Sequence, residues 1–251
     1  MRAIVVYNPK GGVGKSAVAV NLAATLVTGG VRALVIDLDP QASATRALGL
    51  QDDGRSLADA LTALDALPVR ATAFPGLDVV PSGPCVREAE RILASEAGAE
   101  WVVRDKLGRA AGYELVVLDS PPGVGALSRA ALIAADAALV PFVPAPTALE
   151  GLTDVVATLE TRRLTIAGLL ATMERRHTPR LDEVRDILRR RFGDWLLTGQ
   201  IRYSEKIEEA SARGRPLALL SHDSAVAADF REVACEVWVR LLKSTAVART
   251  A

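Results

Sequence analysis

A glycine-rich segment between an apolar run and an amphipathic stretch has the residue types and spacing for phosphate chemistry. It reads Lys10-Gly11-Gly12-Val13-Gly14-Lys15-Ser16. Glycines let consecutive backbone N–H groups turn towards an anion, and a helix beginning after them adds unsatisfied donors and a favourable dipole. In such a loop Lys15 reaches the β- and γ-phosphates and the Ser16 hydroxyl is a magnesium ligand. The segment therefore predicts a nucleotide site; the alternative is an accidental glycine turn ahead of a helix.

Two acidic segments could complete this site. Asp37 and Asp39 come at the end of an apolar run and precede a proline, and Asp119 ends a second such run just before Ser120-Pro121-Pro122-Gly123. Phosphoryl transfer mostly needs positioning and charge neutralisation, so aspartates near a γ-phosphate are chemically reasonable. Asp119 has the position of a carboxylate that holds magnesium through water. Taken alone, Asp37 and Asp39 could be helix caps or turn formers, and Asp119 could simply end a strand.

The elements around these residues alternate between strand and helix. The first forty residues predict a strand over 3–7, a helix over about 16–28 and a second strand over 33–37. Further strand-like apolar runs occur at Leu77 to Val80, Leu115 to Leu118, Ala138 to Val143, Ile166 to Thr172 and Trp195 to Ile201.

This alternation predicts an α/β fold with a mostly parallel twisted sheet and helices on both faces, whose ligand site lies at the carboxyl ends of the strands. Half of the residues are apolar but only 4% are aromatic, as expected of buried parallel strands. We expect a single domain over residues 1–243 and a loose tail over 244–251.

Charge and cysteine content exclude several other classes of protein. The chain has 30 basic and 30 acidic side chains, so no overall field favours nucleic acid or membrane. Cys85 and Cys235 are isolated and have no metal or disulfide spacing. The longest apolar stretch, Ala130 to Leu149, is interrupted by Asp136 and three prolines, so it does not predict a membrane span. Together these features predict a cytoplasmic protein.

The three segments resemble the deviant Walker A, switch I and switch II motifs of the ParA/MinD superfamily of P-loop ATPases. The first fits K-G-G-x-G-K-[ST], the second D-x-D-P-Q, and the third D-[TCS]-P-P. Weaker likeness continues over roughly residues 2–243 and is greatest to short, Soj-like ParA proteins. In that family the signature lysine, here Lys10, crosses a face-to-face dimer to touch the partner's nucleotide.

The resemblance implies an ATPase that uses ATP and Mg²⁺. The implied catalytic residues are Lys10, Lys15 and Asp39, of which Asp39 orients or activates the attacking water. The implied magnesium ligands are Ser16, Asp37 and Asp119. The implied ATP-binding residues are Lys10, Gly11, Gly12, Val13, Gly14, Lys15, Ser16 and Ala17.

The resemblance also implies a switch in chromosome or plasmid partition. Two ATP-bound subunits would form a homodimer, bind nucleoid DNA without sequence preference, and release it when a ParB-like protein stimulates hydrolysis. Residues 1–150 have 13 basic and 16 acidic side chains and residues 151–251 have 17 and 14, so the asymmetry has the sign that DNA binding requires. A solvated helix face is the alternative for each basic residue. The main DNA-binding candidates are Arg189, Arg190, Lys206, Arg213 and Arg215.

Three other functions stay open. Arg202-Tyr203-Ser204 stands where ParA proteins usually have P-R-N, which favours a ParA-like ATPase that positions another protein cargo. A MinD-like regulator would use its C-terminal helix on a membrane, but the apolar pattern from Val226 to Leu241 has a mixed polar side and predicts a helix docked on the core. A metabolic ligase on the same scaffold, similar to dethiobiotin synthetase, is the third alternative.

Overall fold

The computed structural model describes residues 1–63, 65–108, 112–174 and 179–248. Its strands are β1 Arg2–Val6, β2 Ala33–Asp37, β3 Arg70–Ala71, β4 Leu77–Val80, β5 Leu115–Asp119, β6 Ala137–Phe142 and β7 Thr165–Ala171. Its helices are α1 Lys15–Thr28, α2 Ser43–Ala47, α3 Arg55–Thr62, α4 Val86–Ser95, α5 Val102–Leu107, α6 Ala126–Ala134, α7 Ala148–Thr161, α8 Pro179–Phe192, α9 Glu205–Ala212, α10 Leu217–Leu220 and α11 Ala225–Ala248.

In the described part of the chain the strands form one sheet in the order β3-β4-β2-β5-β1-β6-β7. Every pairing is parallel except that of the short edge strand β3 with β4. Parallel neighbours need crossover connections, and the helices between the strands provide them. The predicted α/β class with a mostly parallel sheet is confirmed. The strand β3 is an addition that the apolar pattern does not predict.

The sheet is buried on both faces because its strands are apolar at successive positions. Ala3 and Val5 of β1 face a core formed with α3 to α7. Ile4 and Val6 face the opposite core, formed with α1, α2 and α11. Side chains alternate across a strand, so a strand with helices on both sides needs apolar residues throughout.

The central strands end in register, and this places the loops that follow them side by side. Val6, the last residue of β1, pairs with Asp119, the last residue of β5. Asp119 also pairs with Asp37, the last residue of β2. The glycine-rich segment and the two acidic segments therefore emerge from adjacent strand ends at one edge of the sheet.

The strand expected over Trp195 to Ile201 does not form. A short 3₁₀ turn occupies Gly193–Trp195, and a single bridge joins Leu196 to Leu169 of β7. The following amides of Thr198 and Gly199 donate to the Glu236 carboxylate of α11, at 3.0 and 3.2 Å. The Leu197 and Ile201 amides still donate to the Leu169 and Ala171 carbonyls of β7, at 3.0 and 2.9 Å, but the Gly199 amide between them donates to Glu236, so the ladder is interrupted.

The C-terminal helix packs on the core, as its apolar pattern predicts. Val226, Phe230, Val233, Val237 and Leu241 are buried in the core that also contains α1. The helix continues through Ala248, past the expected start of the tail at residue 244, and residues 249–251 lie outside the described part. Among the described helices, none has the length and apolar character that crossing a membrane requires.

Candidate nucleotide-binding site

The glycine-rich segment forms a loop between the end of β1 and the start of α1. Gly12 and Gly14 have φ values of 73° and 82°, in the left-handed region that glycine adopts without strain. No side chain caps the amino end of α1. Its first amides are therefore directed out of the helix without a side-chain acceptor, as an anion-binding helix start requires.

The two lysines of this loop differ in exposure. Lys15 is buried, with 7% of its surface accessible, and its Nζ donates to the carbonyl of Lys10 at 3.1 Å. Burial lowers the pKa of the Lys15 ammonium, while the charges of Asp119 and Asp39 act in the opposite direction. Lys10 is exposed. A buried cation at the centre of the loop fits a polyphosphate, which would offset the cost of its burial.

Asp37 is fully buried and holds the start of switch I, the segment from Asp37 to Thr45. Its carboxylate accepts hydrogen bonds from the Asp39 amide at 3.0 Å and from the Thr45 amide and hydroxyl at 2.8 and 2.7 Å. Burial raises the pKa of Asp37 to about 6; the Thr45 bonds oppose this rise and the Asp39 charge adds to it. Asp37 therefore orients switch I directly.

Asp119 is the buried carboxylate that best fits a metal. Neither of its oxygens accepts a hydrogen bond from the described residues. Burial and then the charge of Asp37 raise the pKa of Asp119 well above its ordinary value, while the nearby Ser16 hydroxyl and Lys15 ammonium lower it. A divalent cation would satisfy these oxygens and remove the repulsion between the two carboxylates.

The donor set is small, as a nucleotide-bound Mg²⁺ requires. The described residues contain no group of three or more His, Cys, Asp or Glu side chains that could hold a metal alone. Magnesium at nucleotide sites uses one or two carboxylates together with the phosphates of the ligand. Asp119 and the Ser16 hydroxyl fit that pattern, with Asp37 beside them on the next strand end.

Asp39 lies at the turn of switch I. It is 8% exposed, and one of its carboxylate oxygens accepts the Gln41 amide at 2.9 Å. The turn closes with a bond of 2.8 Å from the Ala42 amide to the Asp39 carbonyl, and Ala42 adopts a left-handed φ of 55°. This side chain is thus held by its own loop near Lys15, whose pKa it affects.

Switch II, which follows Asp119, contacts the phosphate loop. The Gly123 amide donates to the Pro9 carbonyl at 2.8 Å, and Gly123 has a left-handed φ of 88°. The Ser120 hydroxyl donates to the Val6 carbonyl at 2.8 Å. A change at one of these loops therefore acts directly on the other.

A cavity of about 650 Å³ opens beside Ser16 and Ala17. Met173, with a left-handed φ of 53°, packs its Cε over Gly14 on one side of the cavity. The segment Arg202 to Ser204 forms another wall. Its size and position suit the nucleoside of a bound nucleotide. No local sequence pattern assigns a role to Met173, because its contact with Gly14 depends on the parallel packing of β7 beside β6.

The predicted DNA-binding residues fall into two groups. Arg189 and Arg190 are exposed on α8, beside the β7 edge of the sheet. Lys206 is exposed on α9, and Arg213 and Arg215 flank a glycine turn after it. Arg213 lines the nucleoside-sized cavity, whereas Arg189 does not.

This fold and site define a P-loop nucleoside triphosphatase of the α/β type. Residues 1–170 match the protein family described as an AAA domain. The chain is 36% identical over 249 residues to the chromosome-partitioning ATPase Soj of Thermus thermophilus, covering 96% of this chain and 97% of that protein. It is 31% identical to the cell division protein PomZ of Myxococcus xanthus, covering 97% and 80%.

Solved structures give the same result for the fold. The McdA–ATP complex of Cyanothece superposes with a TM-score of 0.82 at 21% identity, covering 96% of each chain. MinD of Pyrococcus horikoshii, in complex with Mg-ADP, superposes with a TM-score of 0.78 at 25% identity, covering 94% and 95%. The chain belongs to the ParA/Soj family of partitioning ATPases within the ParA/MinD superfamily. The predicted cofactors, ATP and Mg²⁺, are those of the family.

Proposed function

We propose that this chain is an ATP-dependent partition switch of the cytoplasm. It dimerises on binding ATP and then binds nucleoid DNA. It is released from the DNA when a ParB-like protein stimulates ATP hydrolysis. The contrast between the two loop lysines is the observation that carries the proposal. Lys15 is buried against its own loop, whereas Lys10 is exposed. We therefore assign Lys15 to the nucleotide of its own subunit and propose that the exposed Lys10 reaches that of a second subunit.

Within one subunit, each residue of the site has a role that follows from its position. The amides from Lys10 to Ala17, with the Lys15 ammonium, bind the phosphates. Ser16 and Asp119 would hold Mg²⁺, and Asp37 would support its shell while its Thr45 bonds orient switch I. Magnesium supplies charge neutralisation on the phosphate oxygens when bound. Asp39, fixed by the Gln41 amide, positions the attacking water.

Nucleotide state reaches the rest of the subunit through the two switch loops. Switch II touches the phosphate loop through Gly123, and switch I is held by Asp37 next to Asp119. A terminal phosphate that contacts these loops in one state only provides the differential interaction that a two-state switch needs. Slow hydrolysis without a partner follows if the closed arrangement is rarely reached by the chain alone.

For DNA contact we favour the group on and after α9. Lys206, Arg213 and Arg215 are exposed beside the nucleotide cavity. Arg189 and Arg190 lie on α8, which does not line that cavity. Phosphate contacts by arginine and lysine are independent of sequence and weaken steeply with salt.

The test is retention of the purified chain on immobilised DNA of random sequence with ATP, with ADP and without nucleotide. We expect retention with ATP only, and none for Lys15→Ala, which should not bind nucleotide. The matched variant Lys106→Ala removes a lysine that is also buried but lies on α5. A folded Lys106→Ala variant should retain ATP-dependent binding. Equal retention of the wild-type chain in all three conditions would rule out the switch.

A second function is favoured by the similarity to PomZ and by Arg202-Tyr203-Ser204 at the cavity wall. In this alternative the chain is a ParA-like ATPase that positions a protein cargo other than the chromosome or a plasmid. It predicts ATP-dependent dimerisation in solution without ParB-stimulated hydrolysis. An adjacent ParB-like gene with centromere repeats would favour partition instead.

A further inference from the structure

Asn8, just before the phosphate loop, has both ends of its buried side chain committed to the backbone. It is 6% exposed. Its Oδ1 accepts the Lys10 amide at 2.9 Å, and its Nδ2 donates to the Pro141 carbonyl at 2.9 Å. Asn8 therefore joins the first turn of the loop to the carboxyl end of β6.

Thr172 makes a similar connection at the far end of the loop. It is 2% exposed, and its hydroxyl lies 3.0 Å from the Val13 carbonyl and 3.1 Å from the Phe142 carbonyl. Its amide donates to the same Phe142 carbonyl at 2.8 Å. Thr172 also lines the nucleoside-sized cavity, but its hydroxyl is directed to these carbonyls.

Both connections meet at one place. Pro141 and Phe142 are consecutive residues at the carboxyl end of β6, and β6 lies next to β1, from which the loop emerges. The loop is thus held at the Lys10 end through Asn8 and at the Val13 end through Thr172. The glycines between them have the largest backbone entropy of any residue, so an unheld loop would sample many conformations.

We propose that Asn8 and Thr172 are positioning residues for nucleotide binding. Their hydrogen bonds join the phosphate loop to the carboxyl end of β6 and so keep the loop in its anion-binding conformation. They act through the backbone and not by touching the phosphates. A loop ordered before the ligand arrives does not lose that entropy on binding, which raises affinity. Loss of either anchor should weaken ATP and ADP alike, because both place phosphates in the loop.

The chain offers matched controls for both residues on α1. Asn21 is 3% exposed and likewise bonds at both ends of its side chain, to the Ala17 carbonyl and from the Leu217 amide. Thr25 is 8% exposed, and its hydroxyl has no hydrogen-bond partner among the described residues. Neither residue contacts the loop between Lys10 and Val13 in any of these bonds.

The experiment measures dissociation constants for ATP and ADP, with Mg²⁺, on the full chain by calorimetry, together with the thermal midpoint. Asn8→Ala and Thr172→Val should each raise both constants about tenfold. Asn21→Ala should lower the thermal midpoint about as much as Asn8→Ala does, but it should leave both dissociation constants within about twofold of the wild-type values. Thr25→Val, which removes a buried hydroxyl without a partner, should leave both dissociation constants unchanged and should not lower the midpoint. Thr172→Ser, which keeps the hydroxyl, should restore wild-type affinity.

The proposal is overturned if Asn8→Ala and Thr172→Val lower only the thermal midpoint, or if Thr172→Ser binds as weakly as Thr172→Val. The second result would show that the hydroxyl alone does not support nucleotide binding. If Asn8→Ala does not fold, the comparison of the Thr172 and Thr25 variants decides alone. Because the readout is nucleotide binding by the chain itself, it is independent of the DNA and ParB-like partners proposed above.

Discussion

At the scale of residues, Asp37 and Asp119 are two buried carboxyls on adjacent strand ends with opposite surroundings. Asp37 receives three hydrogen bonds from switch I, and Asp119 receives none from the described residues. Burial raises the pKa of Asp37 from 3.8 to about 6, so between these values the folded state binds the additional proton. Proton binding by Asp37 therefore stabilises the folded state at low pH, and this stabilisation is lost as the pH rises from 3.8 to about 6. At neutral pH the pair weakens the nucleotide-free fold.

We therefore expect Asp119→Asn to stabilise the nucleotide-free protein while removing Mg²⁺-dependent ATP hydrolysis. Removing an unpaired buried carboxylate should raise the free energy of unfolding by about 1 kcal/mol at pH 7. Asp37→Asn is the matched change at the neighbouring buried carboxyl. It should destabilise by about 1–3 kcal/mol, because its new amide group would face the Asp39 amide.

Urea denaturation of the two variants without nucleotide measures this difference. A loss of stability in Asp119→Asn equal to that in Asp37→Asn would contradict the assignment of Asp119 as the unsatisfied metal ligand.

At the scale of elements, the turn after α9 lies against the turn after α2. A Cβ added at Gly214 would lie 2.5 Å from the Gly49 Cα, and one added at Gly49 would lie 2.9 Å from the Gly214 carbonyl oxygen. Both glycines have left-handed φ values, of 63° and 82°. This backbone contact places the turn that carries Arg213 and Arg215 beside the segment that continues switch I.

Gly214→Ala should consequently destabilise the fold far more than its backbone conformation alone requires. We expect a loss of about 3 kcal/mol in the free energy of unfolding, from the left-handed φ together with the collision at Gly49. Gly193→Ala is the control, because Gly193 has a φ of 52° and a Cβ there would meet nothing within 4 Å. It should cost about 1 kcal/mol. Equal losses in chemical denaturation would show that the two turns can separate freely.

At the scale of the whole molecule, charge is distributed unevenly although its sum is zero. The basic excess belongs to residues 151–251, and the five DNA-binding candidates within it divide between α8, with Arg189 and Arg190, and α9 with the turn after it, with Lys206, Arg213 and Arg215. A dimer that joins two such surfaces would double the local positive charge without any change in net charge. DNA binding by this chain should accordingly depend on assembly and on salt.

Arg213→Ala with Arg215→Ala should weaken ATP-dependent DNA binding at all sequences. The slope of log affinity against log salt concentration should fall by about 1 for each phosphate that the variant no longer neutralises. Arg189→Ala with Arg190→Ala removes the same charge from α8 and should have the smaller effect. Titration of fluorescent DNA at several salt concentrations measures both pairs. A larger effect of the α8 pair would assign the DNA-binding surface to α8 instead of the turn after α9.

The strands and the phosphate loop could be predicted from sequence because each is encoded by neighbouring residues. Apolar runs of buried strands and the glycine spacing before Lys15 are local signals. The segment from Trp195 to Ile201 has the same apolar character, but its pairing with β7 is interrupted where the Gly199 amide donates to Glu236 of the distant helix α11. No local pattern carries that information.

The sequence by itself determined the α/β class, the nucleotide loop and the acidic residues beside it, because strand alternation and glycine conformation are properties of short segments. Only the tertiary structure decided which buried carboxylate is left unsatisfied, which basic residues lie near switch I, and that Asn8 and Thr172 hold the loop. Each of these depends on parallel strands and helices brought together from distant parts of the chain, whose approach is set by core packing.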